Sequence, residues 1–443
     1  MITHGAIALP ARRAAAVLLL TLTVAGGIPV LPVAPAAAED SVPQTGAEGS
    51  GECTFPMPKQ IRGRPWSLQR LVFDQLWQDT RGKGVRVAVI DTGVDAVNPQ
   101  LRTAVDRAAG LDLLPPEKPD GSAAGEKAGG KGKGKGKGKA RGRGDATADR
   151  VGHGTKVAGI IAARPRAGTG FVGIAPEATI IPIRQNDDRG TGTAATLATA
   201  IRHAISEDAQ VINISQDTAK PLRADSDLAR AVREALDKDI VVVASAGNDG
   251  LTDRVEKTYP AAYPGVLAVA ASDRNDERAP FSQTGDFIGV AAPGVDMVST
   301  VPGGGQCVDN GTSFSAPYVA GVAALIRAKH PRWTQGQVVA QIEQTAERAV
   351  NGRDDFIGWG VVDPVRALND DAHPVDAPTP DRAVSAGPVG PEPVALQLGE
   401  TRQERMTRLA TYVLAVTGVL AMVIAGVAVL LRTRDDERPE VDE

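Results

Sequence analysis

Aromatic residues are scarce in this sequence, 3% of 443, and cysteine is almost absent, with only Cys53 and Cys307. A single-stranded nucleic-acid module needs successive aromatic rings for base stacking, so the composition argues against one. Charge of one sign is missing too. The 49 Lys and Arg against 53 Asp and Glu leave a formal net charge of -4, which makes nucleic acid a poor partner. Apart from one short Lys-Gly run there is no internal repeat, so solenoid and propeller architectures are not indicated. No Asp/Asn/Glu loop assigns a calcium site, and neither a metal nor another cofactor is implied. What is abundant is small and apolar, Ala, Gly and Val, a composition suited to closely packed α/β layers.

Long uncharged runs occur near both ends. Arg12 and Arg13 precede "AAAVLLLTLTVAGGIPVLPV", and the small residues of "APAAAED" follow. Basic, apolar and small-residue regions in that order are a signal peptide, residues 1–38, with cleavage after Ala38. The alternative is an uncleaved anchor, for which the Pro-rich end of the run is poorly suited. Leu409 to Leu431 carries no charge, and about twenty apolar residues at 1.5 Å rise cross a bilayer core, so residues 409–431 read as a transmembrane helix. Arg402, Arg405 and Arg408 on one side balance Arg432, Arg434 and Arg438 on the other, so flanking charge sets no orientation. The export signal does set one. It places the middle of the chain outside the membrane and the acidic tail, residues 432–443, in the cytoplasm. Residues 370–407 are Pro-rich without helical periodicity and read as an extended tether.

Between 85 and 369 short β-branched runs such as "VRVAVI", "TIIPIR", "VINIS" and "IVVVASAG" alternate with amphipathic patterns such as "TAATLATAIRHAI" and "DLARAVREAL". That alternation predicts an α/β domain, a mainly parallel sheet covered on both faces. Polar residues at the carboxyl ends of its strands then become the candidates for chemistry. Asp91 ends the strand "VAVI", His153 stands in "GHGTKVAGI" where a helix starts, and Ser313 stands in "NGTSFSAPYVAG" at another helix start. Singly, each reads as a turn or cap residue.

Together, "VIDTGVD", "GHGTKVAGI" and "NGTSFSAPYVAG" resemble the Asp, His and Ser motifs of the subtilisin-like serine proteases, in that family's chain order, and "VVVASAGNDG" resembles its oxyanion-hole motif. The resemblance runs from about Val85 to "GWGVVDPVRAL" and implies a three-layer fold with a seven-stranded sheet that hydrolyses peptide bonds. In that scheme His153 takes the proton of Ser313, and Asp91 orients the imidazole. Asn248 and the backbone N–H of Ser313 receive the negative charge that develops on the carbonyl oxygen. Ser315 is then a packing or capping residue. His203 reads as a helix-surface residue, His330 as a helix C-terminal cation, and His373 lies in the tether.

From signal cleavage to Asp91 only about fifty residues remain, too few for a folded inhibitory domain. Residues 39–84 read instead as an arm laid over the domain. Arm, protease domain, Pro-rich tether and terminal helix together resemble the mycosins, membrane-anchored proteases of type VII secretion systems. That resemblance implies a protein substrate and the membrane proteins of a secretion complex as partners. It also leaves a second reading open, a structural component of that complex in which catalysis is secondary. Where the family has "SLGG" after "VINI" this chain has "SQDT", so Ser215, Gln216 and Asp217 form the expected substrate edge, narrowed and made polar. In an exported protein two cysteines are expected to oxidise, and a Cys53–Cys307 disulfide would hold the arm near the catalytic helix. Free thiols or intermolecular bridges are the alternatives.

"KGKGKGKGKARGRG", Lys131 to Gly144, lies in an insertion at about 117–148 between the Asp91 strand and the His153 helix. Alone it reads as a disordered basic arm. Anchored at both ends beside the cleft, it reads as a solvated loop, with contact to an acidic partner or the cell envelope as the alternative.

Overall fold

In the strand β1 (Arg86–Asp91) successive side chains point to opposite faces, and both faces are apolar. Val87 and Val89 join one buried cluster while Ala88 and Ile90 join another, the pattern of a strand covered on both sides. The computed structural model describes residues 53, 56–57, 60–114, 145–187, 192–216, 225–251, 257–348, 351–381 and 400–435. The signal peptide, the Lys131 to Gly144 run, Asp217, residues 382–399 of the tether and 436–443 of the tail lie outside the described residues. The chain divides into two units, Met1–Asp381 and Arg382–Glu443.

In the first unit, two short helices, α1 (Trp66–Gln69) and α2 (Phe73–Leu76), precede β1. Then come β2 (Leu111–Asp112), α3 (His153–Ala162), β3 (Thr179–Arg184), α4 (Ala194–Ser206), β4 (Val211–Ile214), α5 (Asp227–Asp237) and β5 (Val241–Ser245). They are followed by β6 (Leu267–Ser272), β7 (Ile288–Pro293), β8 (Met297–Thr300), β9 (Gln306–Asp309), α6 (Thr312–Lys329), α7 (Gln335–Thr345) and α8 (Pro364–Asn369). Seven strands form one sheet in the order β2-β3-β1-β4-β5-β6-β7, with every neighbouring pair parallel. This is the subtilisin-like α/β architecture that the motifs imply. Antiparallel β8 and β9 form a separate hairpin.

Helices α4 and α5 cover the face carrying Ile90, Ile181 and Ile212, while α3 and α6 cover the face carrying Val87, Val89 and Val211. Burying each of these large apolar side chains stabilises the fold by about 1.5–3 kcal/mol. The local sequence agrees with these elements. Thr193 and Thr196 form a capping box at the start of α4, and Ser226 caps α5 by accepting the Ala229 N–H. Helix α6 buries all but three of its 18 residues, which fits a sequence built almost wholly from small and apolar residues.

The arm is stitched onto the β8–β9 hairpin. Cys53 is disulfide-bonded to Cys307 in β9, the Met57 N–H donates to the Gly304 carbonyl at 3.0 Å, and the Ile61 N–H donates to Gln306 Oε1 at 2.9 Å. A bridge closing so long a loop typically stabilises a fold by about 2–4 kcal/mol. Further along, the Trp66 indole donates to the Val295 carbonyl at 2.9 Å and the Arg70 guanidinium forks onto the Asp276 carboxylate.

The first residues of the expected tether are not free of the domain. Asp371 pairs with Lys329 and His330 at the end of α6, both at 2.6 Å, and Asp376 accepts from Gln337 at 3.0 Å. Residues 370–381 therefore strap the C-terminal side of the first unit. In the second unit, α9 (Arg402–Asp435) runs 34 residues, about 51 Å at 1.5 Å rise. Its span Arg402–Arg432 is long and apolar enough to cross a membrane, and it exposes large apolar side chains such as Leu414, Leu420 and Ile424.

Candidate active site

Parallel register brings the carboxyl ends of the central strands side by side. Asp91 pairs with Arg184 of β3, Ile90 with Ile214 of β4, and Ile214 with Ala244 of β5. The residues at or just beyond those ends, Asp91, Gln185, Ser215 and Asn248, therefore lie along one edge.

Asp91 is fully buried, and its two carboxylate oxygens lie 2.8 and 2.9 Å from His153 Nδ1. Its Oδ1 also accepts the Thr92 N–H at 2.7 Å. His153 is the first residue of α3, and the geometry permits no bulk beside it: a Cβ on Gly154 would collide with the Gly93 carbonyl and come within 3.1 Å of Asp91 Cβ. That is a physical reason for glycine directly after the histidine. Burial alone would lower the imidazole pKa, but the charge of Asp91 and its hydrogen bond outweigh burial and leave it above its ordinary value.

Asp149 is a residue that sequence reasoning missed. Its Oδ1 accepts the Gly152 N–H at 2.8 Å and the Thr92 hydroxyl at 2.9 Å, while its Oδ2 accepts the Thr155 N–H at 2.8 Å. It thus caps the His153 helix from four residues upstream and ties that helix to the loop after Asp91, because the Thr92 hydroxyl in turn accepts the Gly154 N–H at 3.0 Å. Burial pushes its carboxyl pKa up, and the Thr155 hydroxyl and backbone N–H groups pull the other way. An acidic residue shortly before a helix start was the available signal. The end of the basic insertion is part of the same scaffold, since the Ala146 carbonyl accepts the Val94 N–H at 3.0 Å.

Ser313 follows Gly311 and Thr312 into the first turn of α6 and is half-buried. Gly311 has φ +149°, within the region where a side chain is strained. The Ser313 carbonyl accepts the Ser215 hydroxyl at 2.9 Å, and that hydroxyl accepts from Asn213 Nδ2 at 2.9 Å. Phe314, next in the chain, packs against the His153 ring with centroids 5.3 Å apart. Lys156, one turn along α3, is buried and pairs at 2.7 Å with Asp309, which links the histidine helix to the strand leading into Ser313.

Asn248 lies three residues beyond β5 and is exposed. Its Oδ1 accepts the Thr312 N–H at 2.9 Å and the Thr312 hydroxyl at 3.0 Å. With the oxygen so engaged, the Nδ2 donor is the end left for a ligand. Thr312 is the second missed residue. It fixes the amide through tertiary contacts that no local pattern announces.

The structure thus brings together Asp91, His153, Ser313, Asn248, Ser215 and Gln216, and it bonds Cys53 to Cys307. Asp217 lies outside the described residues. Ser315 is fully buried beside Gly294, a packing residue. His203 departs from the surface reading: it is half-buried, with Nε2 2.9 Å from the Ala109 carbonyl.

The model of the Subtilase family matches residues 82–360. Subtilisin E of Bacillus subtilis (strain 168) is 36% identical over 286 residues, covering 64% of this chain and 66% of that protein. The chain thus spans just under two thirds of that relative's length. Among solved structures, the MycP3 protease from the type VII (ESX-3) secretion system aligns with a TM-score of 0.56 at 32% identity, over 70% of this chain and 91% of that one. MycP1 from Mycobacterium smegmatis aligns with a TM-score of 0.58 at 29% identity, over 76% and 91%. Sheet topology, family match and likeness to solved MycP proteases agree: the chain belongs to the subtilase family, and within it resembles the mycosins.

Proposed function

We propose that this protein is a serine endopeptidase of narrow specificity, held at a membrane by α9, that processes secreted proteins in a type VII secretion setting. The observation that carries the chemistry is the buried Asp91 carboxylate at 2.8 and 2.9 Å from His153 Nδ1, with the His153 ring packed 5.3 Å from Phe314, the residue after the half-buried Ser313. Serine is a weak nucleophile at its free pKa. In this reading His153 takes the Ser313 proton as the hydroxyl attacks the scissile carbonyl, and returns it to the leaving amine. Asp91 holds the imidazole in the tautomer that leaves Nε2 free and stabilises its cation. Asn248 Nδ2 and the Ser313 N–H, at the first turn of α6, donate to the oxyanion; loss of one such donor costs about 3 kcal/mol in the barrier, a magnitude measured on subtilisin itself. The setting rests on the likeness to MycP3, which comes from a type VII secretion system, and on the membrane-length helix. The protease unit is assigned to the outer side and residues 432–443 to the cytoplasm.

A serine-directed fluorophosphonate tests the chemistry. Peptide mapping of the labelled, intact chain is expected to find the adduct on Ser313. Labelling elsewhere, or none, overturns the assignment.

The base also sets a pH dependence. His153 acts when neutral, and its pKa stands above the ordinary value of about 6.5, so kcat/KM should fall as pH drops through a point above 6.5. A plateau that extends unchanged down to pH 5 would contradict this.

A further inference from the structure

A knot of side-chain amides stands at the ends of β3 and β4, and the catalytic roles leave it unexplained. Gln185 and Asn186 both donate their backbone N–H to the Asp91 carbonyl, at 2.9 and 3.2 Å. Across β1, the Ser215 hydroxyl holds the Ser313 carbonyl at 2.9 Å, and Gln216 is the next residue. The amides thus stand one residue from the groups that hold Asp91 and Ser313, and strand alternation turns Gln185 and Gln216 to the α4 side of the sheet while Asp91 and Ser215 face α3 and α6.

Their orientations are determined by their partners. Gln185 is 1% exposed and Asn186 3%. Gln185 Oε1 accepts the Thr196 hydroxyl at 2.7 Å, a hydroxyl on the capping turn of α4. That turns Gln185 Nε2 toward Gln216, where it donates to Oε1 at 2.5 Å, and toward the Asn186 side-chain oxygen. Gln216 thus has its oxygen engaged, while its Nε2 is buried with no hydrogen-bond partner among the described residues. A buried donor left in that state costs about 1–3 kcal/mol. Few are tolerated in a native fold, and one at the carboxyl end of a strand next to the Ser313 cleft is a donor placed for a ligand's acceptor.

We infer that the Gln185, Asn186 and Gln216 cluster is a specificity subsite that takes a side-chain carbonyl or carboxylate of the substrate, from Asn, Gln, Asp or Glu near the scissile bond. This rests on Ser313 being the nucleophile. An apolar side chain entering the subsite leaves the Gln216 N–H unpaired, and a Lys or Arg brings donor against donor. A site built to hydrogen-bond a substrate group discriminates strongly against analogues lacking it, because its own buried group is then stranded.

The test is a positional library of fluorogenic peptides on the full chain in detergent, with Gln, Glu, Leu or Lys fixed in turn at each position on both sides of the scissile bond. One position is expected at which Gln and Glu exceed Leu and Lys by at least about tenfold in kcat/KM, a difference of about 1.4 kcal/mol. Gln216→Leu should bring that ratio near one, and Gln216→Glu, which replaces the donor by an acceptor, should turn the preference toward Lys. The absence of any such position, or a ratio unchanged in both variants, overturns the proposal. A substrate backbone carbonyl occupying the donor would give this second result.

A binding arm separates this from failure of the protease reading. Fluorescence anisotropy of the same peptides on Ser313→Ala measures the Gln-to-Leu affinity ratio without turnover. If wild type takes no phosphonate label but the affinity ratio holds and falls in Gln216→Leu, the subsite stands and the catalytic assignment fails. If Ser313 is labelled but the peptides show no affinity preference, the nucleophile stands and the subsite fails.

Discussion

Ser313→Ala is expected to lower peptide cleavage by roughly six orders of magnitude, the loss known from subtilisin itself when its nucleophile is removed. The substitution deletes one oxygen at a half-buried helix start whose neighbours are held by other groups: Ser215 grips the Ser313 carbonyl, and Thr312 grips Asn248. Thermal stability should therefore stay close to that of the wild type, so that lost activity reads as chemistry. Retention of even one per cent of cleavage would remove Ser313 from the mechanism. The same variant separates the two roles considered for a membrane-held subtilase. In cells, a processing role predicts that an uncleaved substrate accumulates. Secretion that survives the substitution and stops when the whole chain is deleted assigns the remainder to a structural part in the complex.

Asp91, His153, Ser313 and Asn248 can be picked out as candidates because each stands in a contiguous motif whose chemistry constrains the neighbouring residues, and the disulfide because the chain has only two cysteines. Gly154 has to be glycine where it faces Asp91, and Gly311 has to be glycine where the chain turns into α6. The supporting residues are not legible. Asp149, Thr92 and Thr312 act through bonds to residues brought near by the fold, and a Thr before a Ser or an Asp in a loop has bland local uses. The Pro-rich stretch after 369 is legible as non-helical but not as attached. Its acidic side chains find Lys329, His330 and Gln337 across about forty residues of sequence, and nothing in local composition signals such pairs. Helical position alone puts His203 on the surface, whereas its partner is a carbonyl 94 residues away.

Asp91→Asn is expected to lower kcat by about 10⁴ while leaving substrate affinity nearly unchanged. The amide fills the same space and retains an oxygen, so Thr92 keeps its acceptor and the β1 end its packing. What changes is the imidazole. A carboxylate 2.8 Å from Nδ1 demands the N–H there and leaves Nε2 free to take the Ser313 proton. An amide can instead present its own N–H to Nδ1, which puts the ring proton on Nε2 and removes the base. The linkage supplies a second, independent readout. In the wild type His153 is raised above its unfolded value, so the Asp91 pair contributes stability that is full below pH about 6.5 and lost as pH rises through the folded pKa. Asp91→Asn loses the source of that rise while burial, which favours the neutral ring, remains. Melting temperatures of the two proteins should therefore differ most in acid and converge toward alkaline pH. A gap of constant size across that window would mean that Asp91 acts by packing alone, and an unchanged kcat would mean that His153 does not depend on it for its tautomer.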